Sequence, residues 1–214
     1  MSADTDDLDR IIDAATRLFA ELGFDGTSPR LIADAAGVDA GTVTRLTGGK
    51  TDLYREVMRR ATDAEKRAVA GAAGGFTPTR QGVERLLDEY LDFYAAHPEY
   101  LGLWLHRRTG DAADTADLEE QYVRPRLGSI VKALREAVSD DIDLDLTIWT
   151  IPWVISGFLS QRALGTRSGE AAEAAKDDSD GPYRKISPAE LERFRTHLHT
   201  LLERMLALPD GPDR

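Results

Sequence analysis

Apolar positions recur at three- and four-residue steps along most of this chain, which is the spacing of helices that bury one stripe. Ile11, Ile12, Ala15, Leu18, Phe19 and Leu22 make the first such stripe and predict a helix that stops at Gly23. From Lys50, the stripe Leu53, Tyr54, Val57, Met58 and Ala61 predicts a longer helix reaching the Ala/Gly-rich run 68–75. Val83, Leu86, Leu87, Tyr90, Leu91 and Tyr94 predict another, starting near Thr79 and ending before Pro98. Pro98 opens a short aromatic helix that closes at Arg107, Arg108 and Gly110, a basic end suited to a helix C-terminus. Leu118, Tyr122, Leu127, Ile130, Val131, Leu134 and Val138 follow, with Pro125 forcing a kink or a restart.

The span 143–165 is the most apolar, hydrophobic on several faces, so burial on more than one side is expected, with a bend at Pro152. The Gly/Ala/Asp/Ser-rich span 166–185 has no apolar period and is expected to be mobile. Ser187-Pro188-Ala189-Glu190 is a capping box, and Leu191, Phe194, Leu198, Leu201, Met205 and Leu208 then alternate in three- and four-residue steps. The prediction is an all-α protein.

Between the first two long stripes lies a pattern of a different kind. Ser28 is a good N-cap, and Pro29 stands at the first helical position, where its missing donor costs little. Ile32, Ala33 and Ala36 form a small-residue inner face, and Gly37 supplies the left-handed turn. Asp39 caps the next helix, in which Val43 faces inward while Ala40, Thr42, Thr44 and Arg45 take other faces. This is a helix-turn-helix in outline, and a second helix with small and polar side chains outward suits a major groove. Two short helices crossing over Ala and Gly also occur in proteins that never touch DNA. The run that follows favours DNA, because it ends in Lys50 at the start of another helix, a phosphate site in outline.

Charge qualifies that picture. The 214 residues carry a formal net charge of −11, which argues against indiscriminate nucleic-acid binding. Between positions 8 and 60, however, Arg10, Arg17, Arg30, Arg45, Lys50, Arg55, Arg59 and Arg60 offset a similar number of acids. The excess acid is expected to lie elsewhere, in 4–7, 111–120, 140–145 and 177–180, leaving a locally basic face suited to a sequence-specific reader. There are no cysteines, so disulfides, thiolate metal sites and thiol nucleophiles are excluded. The start of the chain is acidic and lacks an apolar signal core, and no apolar run is long enough for a membrane span, so a cytoplasmic protein is expected.

Ile11 to Tyr54, with Ala15, Phe19, Gly23-Phe24, Gly26-Thr27-Ser28, Ile32-Ala33, Ala36-Gly37-Val38, Gly41-Thr42-Val43, Lys50 and Leu53, resembles the DNA-binding domain of TetR-type transcriptional repressors. The resemblance implies that residues 1–49 form a three-helix domain reading a two-fold operator, joined by a long helix to a helical bundle, within 50–214, that binds an inducer and dimerises. It implies base or groove contacts from Ala40, Gly41, Thr42 and Arg45, and phosphate contacts from Thr27, Thr44 and Lys50; Arg30 joins them as a basic residue of the first short helix. The chain departs from the family where a tyrosine usual in it is Thr44, a phenylalanine that closes the small core is Thr47, and an often basic position is Ala40. Leu46 or Phe24 is the candidate to fill the space left at Thr47, and Arg45 is the side chain able to pair with a guanine edge.

Tyr90, Phe93, Tyr94, Trp104, Tyr122, Trp149 and Trp153 are candidates to line an apolar ligand pocket, against the simpler reading as core. Phe158, Leu191, Phe194, Leu198, Leu201 and Met205 are candidates for a homodimer seam of four helices. The four histidines are scattered without metal-ligand spacing, and no phosphate-cradling Gly loop or nucleophile elbow is present, so neither metal, cofactor nor enzymatic activity is expected. The expected function is a ligand-responsive regulator, a repressor released from its operator by a small apolar or aromatic molecule. The competing expectation is a helical ligand-binding or dimeric interaction protein with a weakened reading head.

Overall fold

The computed structural model describes residues 2–108, 120, 123–163 and 186–209. Among these residues there are ten helices and no strands: α1 (Ser2–Gly26), α2 (Pro29–Ala36), α3 (Ala40–Thr47), α4 (Lys50–Ala68), α5 (Ala70–Gly74), α6 (Arg80–Ala96), α7 (Pro98–Arg108), α8 (Arg124–Leu134), α9 (Leu144–Ala163) and α10 (Pro188–Leu206). The fold is all-α, as expected. Two compact units make up the chain, 1–64 with 99–123 and 65–98 with 124–214, and α4 contributes to both. The expected boundary at 49/50 lies inside the first unit.

The first unit is built around Ile11, Ala15, Phe19, Ile32, Ala33, Val43, Leu53, Tyr54, Val57 and Met58, all buried in one core. Helix α1 breaks at Gly23, whose φ of 75° and ψ of 173° are not helical, so the predicted stop becomes a kink. Three aromatics pack on one another in this core. Phe24 stands 6.0 Å from Phe19 and 5.1 Å from Tyr54, and Phe19 meets Tyr54 edge-on at 5.1 Å, which are favourable ring geometries. Thr47 itself donates its hydroxyl to the Val43 carbonyl at 2.8 Å, and Leu46 packs against the same core.

Helix α7 completes this core from far along the chain. Tyr100, Leu103 and Trp104 lie at i, i+3 and i+4 and pack against it, Leu103 fully buried. Trp104, a candidate pocket residue, is therefore a side chain of the head core instead.

The second unit is organised by α6, α8, α9 and α10. Thr79 caps α6 and Ser187 with Glu190 forms the predicted capping box of α10, each satisfying orphan amide donors. Pro125 sits at the start of α8, so the expected helix restarts there; Leu118 and Tyr122 lie outside the described residues, as does the span 166–185. Along α10 the buried face is Leu198, Leu202 and Leu206. Leu198 thus belongs to its own unit's interior and is corrected from the expected seam, while Leu191, Phe194, Leu201 and Met205 are half-buried.

In α9, Leu144, Ile148, Ile155 and Leu159 are buried, but Leu146 is 58% and Trp153 50% exposed. Leu144, Ile148, Ile155 and Leu159 share one face, so burial on more than one side, expected from its composition, does not hold within one chain.

Candidate nucleic-acid interface

The helix-turn-helix is fixed by caps at every end. Ser28 Oγ accepts from the Leu31 amide at 3.2 Å, and Gly37, at φ 68° and ψ 38°, donates its amide back into α2 while turning the chain. Asp39 Oδ1 accepts from the Thr42 amide at 3.0 Å to start α3. Gly41 makes room for this cap: a Cβ there would stand 2.9 Å from Asp39 Oδ1 and push it off. Asp39 also takes the Thr42 hydroxyl on Oδ2 at 2.6 Å, and these bonds hold its carboxyl below the usual range.

The outward face of α3 follows from this framework. Val43 is buried against the core, leaving Ala40, Gly41, Thr44 and Arg45 exposed and Thr42 half-buried. Thr44 turns its hydroxyl to the Ala40 carbonyl at 3.2 Å, so both α3 hydroxyls facing outward already donate within the protein. Arg45 is the one long polar side chain on this helix. Lys50, at the first position of α4, holds its ammonium 4.2 Å from the Phe24 ring centroid, a cation–π contact that fixes the charge beside the helix N-terminus. Arg30 on α2 is exposed.

Thr27 does not belong to this face. It is 1% exposed; its hydroxyl donates to the Gly23 carbonyl at 2.7 Å and lies 3.2 Å from that of Leu18, and its amide donates to Phe24. The phosphate contact expected of it is corrected: this threonine ties the kink of α1 to the entry of α2.

Sequence reasoning also misplaced the acid. Helix α1 begins at Ser2, not near the first apolar stripe, and carries its acidic residues onto the head. Asp4 Oδ1 is 3.2 Å from Arg45 Nη2, Asp7 pairs with Arg10, and Asp9 Oδ1 is 3.1 Å from Arg60 Nη1. No spacing rule links positions 4 and 45; only the continuation of α1 past its apolar stripe brings them together.

The candidate ligand aromatics divide into groups. Tyr90, Phe93 and Tyr94 form one, with centroids 4.8 Å (Tyr90–Tyr94) and 5.1 Å (Phe93–Tyr94) apart, joined by His97 at 4.9 Å from Phe93. Tyr94 donates its hydroxyl to Glu65 Oε2 at 2.8 Å, and Glu65 Oε1 is 2.6 Å from Arg126 Nη1, an ion pair close in distance but not aligned as a hydrogen bond. Burial, with Tyr90 and Glu65 beside it, raises the Tyr94 hydroxyl well above its usual value. Trp149 and Trp153 form a second group, 6.2 Å apart. Tyr122 lies outside the described residues. The described residues show an open groove of about 340 Å³ elsewhere in this unit, lined by Phe158, Glu190, Arg193, Phe194 and His197, with Phe158 stacked on Phe194 at 3.8 Å. It coincides with the candidate seam and not with the aromatic group.

Residues 11–57 match the family described as bacterial regulatory proteins of the tetR family. This span contains the capped helix-turn-helix, its core and the start of α4. Over this span the chain carries a TetR-type helix-turn-helix domain. Over 85% of its length it is similar to the HTH-type transcriptional repressor AcnR of Corynebacterium glutamicum, 24% identical and spanning 94% of that protein. Over 41% of this chain it is 30% identical to the HTH-type transcriptional regulator YhgD of Bacillus subtilis, spanning 46% of that protein. Among solved structures, the transcriptional regulator SCO4942 of Streptomyces coelicolor is 25% identical with a TM-score of 0.61, covering 94% of this chain and 98% of that one. The ketosteroid transcriptional regulator KstR2 of Mycobacterium tuberculosis, 15% identical, shares the TetR fold with a TM-score of 0.66, covering 95% of each chain. These relatives are regulators, not enzymes. Among the described residues no helix is long and apolar enough to cross a membrane, and no group of His, Asp and Glu could hold a metal ion.

Proposed function

We propose that this TetR-type chain is a cytoplasmic repressor that binds a two-fold operator as a homodimer and is released by a small apolar or aromatic ligand. The observation that carries the reading is the outward face of α3: a helix capped at both ends and anchored by Val43 that presents Ala40, Gly41, Thr42, Thr44 and Arg45. In this reading Arg45 pairs with a guanine edge, the methyl-bearing and small side chains pack in the groove, and Lys50 with the α4 N-terminus takes a phosphate. Residues 1–49 read DNA; 50–214 supply the ligand site, with Tyr90, Phe93 and Tyr94 as its aromatic wall, and the seam, with Phe158, Leu191, Phe194, Leu201 and Met205. A ligand that binds one conformation of the second domain more tightly lowers DNA affinity by that difference and no more.

Selection of bound fragments from a random-DNA pool tests this. The expected product is an inverted repeat with half-sites about 34–36 Å apart, as two-fold readers require. Arg45→Ala should weaken binding roughly five- to 150-fold, the range of a lost bidentate base contact, and relax one base position. Lys50→Ala should weaken binding evenly across sequences and lower the salt slope by about one. A pool with no enriched sequence overturns the repressor reading and favours a helical ligand-binding or dimeric interaction protein with a weakened head.

A further inference from the structure

The acidic start of α1 is not a solvated tail beside the reading head but a set of counter-charges laid on it. Asp4 reaches Arg45, Asp7 reaches Arg10 and Asp9 reaches Arg60. Of these arginines, Arg45 is the long polar side chain of α3, and Arg10 lies beside the turn itself, its Nη1 3.7 Å from where a Gly37 Cβ would stand. Both members of the Asp4–Arg45 pair are more than half exposed, so the pair is reachable by DNA and opens at small cost. Arg17 and Arg30, by contrast, have no ion-pair partner among the described residues. The acidic turns therefore cover selected cations of the head, including the one best placed to read a base.

We propose that Asp4 is an internal competitor for Arg45, so that the first turn of α1 sets the DNA affinity of the head. This rests on the DNA-reading role given to Arg45 above. A DNA phosphate or guanine edge must displace a carboxylate that is tethered to the same unit. The complex then forms with one ion pair exchanged for another, and fewer counterions are released than the number of contacts implies. Asp4, in contact with Arg45, also lies within a Debye length of about 10 Å of whatever Arg45 binds, and it repels phosphate through space. Both effects weaken binding to any DNA and flatten its salt dependence. A chain of net charge −11 with this arrangement holds generic DNA weakly even though its α3 face is exposed.

The test compares Asp4→Asn with Asp13→Asn in the full chain. Asp13 is an exposed acid nine residues on, two and a half turns away and so on the opposite side of α1, and it gives the same change in net charge. Two readouts are used: affinity for the pool-selected duplex and for an unrelated one across a salt series, and the salt at which each variant leaves immobilised heparin, a polyanion with no base sequence. Asp4→Asn is expected to tighten both duplexes by about two- to five-fold, the span of an exposed ion pair, and to steepen the salt slope by up to about one. It should leave heparin at higher salt than the parent chain, while Asp13→Asn changes little. In an Arg45→Ala background the gain from Asp4→Asn should vanish. Equal effects of the two variants, or a gain that persists without Arg45, overturn the proposal. Absence of DNA binding in every variant overturns the repressor reading, and the heparin comparison still decides whether Asp4 masks Arg45.

Discussion

The two compact units of this chain solve the burial problem differently. In the first, α1, α2, α3 and α4 enclose Phe19, Ile32, Val43 and Val57, α7 adds Leu103 to the same core, and only Leu22 and Leu31 among the large apolar side chains of the described residues stand exposed. In the second, α10 buries Leu198, Leu202 and Leu206 but leaves Leu191, Phe194, Leu201 and Met205 half-covered, and α9 leaves Leu146 and Trp153 in the open. A unit that closes on itself keeps a fixed outward surface, as a reading head needs. A unit with uncovered apolar faces has surface left for another molecule, the pattern expected of an association or ligand domain.

The sharpest way to break this contrast is to open the closed core. Phe19 is fully buried with Phe24 and Tyr54 ringed about it, so Phe19→Ala should lower the stability of the first unit by about 3–5 kcal/mol, measured by urea unfolding. A cost under about 1 kcal/mol would mean that the aromatic cluster is not what holds this core together.

In the second unit the comparable weak point is ionic. Glu65 is 2% exposed and is shared between the Tyr94 hydroxyl and Arg126. Arg126→Ala leaves that carboxylate buried and uncompensated and should cost about 3–5 kcal/mol. Tyr94 adds a pH signature. Its folded-state hydroxyl is raised well above the ordinary value of 10.0, so above that value the unfolded chain gives up a proton that the folded chain keeps. Stability attached to this residue is fully present below about pH 10 and falls as pH rises further. Unfolding curves between pH 8 and 11 should show the fall in the parent chain and lose it in Tyr94→Phe.

These elements also mark what a sequence can and cannot disclose. The head was legible because its signals are local: Ser28, Pro29, Gly37 and Asp39 each set the backbone within a few residues of themselves. The same holds for the capping box at Ser187. What escaped depends on pairs distant in the chain, such as Asp4 with Arg45, Trp104 with the head core, and Glu65 with Arg126. Thr27 is not legible, because a threonine beside a reading helix has the same local pattern whether its hydroxyl faces a phosphate or the Gly23 carbonyl. Nor is the burial of Leu198 legible, because a three- and four-residue stripe is wide enough to hold an inner and an outer face, and sequence does not say where one ends.

That division can be sharpened along α10. Phe194 stacks on Phe158 and lines the open groove, whereas Leu198, one turn on, is buried. Phe194→Ser should weaken self-association at least tenfold by sedimentation while lowering the stability of the isolated chain by about 1–2 kcal/mol, since the ring is only half-buried. Leu198→Ala should do the reverse, costing about 2–5 kcal/mol in folding. If both variants act alike on association, the two faces of α10 are not separate.

The smallest effect expected concerns the cap on which the closed unit's outward face depends. Asp39 has its carboxyl lowered first by the Thr42 hydroxyl and then by the Thr42 amide. A lowered folded value means that the carboxylate stabilises the head above the ordinary value of 3.8, and that this contribution is lost as pH falls below it. Asp39→Asn keeps an acceptor for the Thr42 amide without a titrating charge. Its unfolding midpoint should therefore differ from that of the parent at pH 7 and converge on it as pH approaches 3. Curves that run parallel down to pH 3 would show that the cap carries no charge-dependent share of the head's stability. The exposed face of α3 would then be held by Val43 and the core beneath it alone.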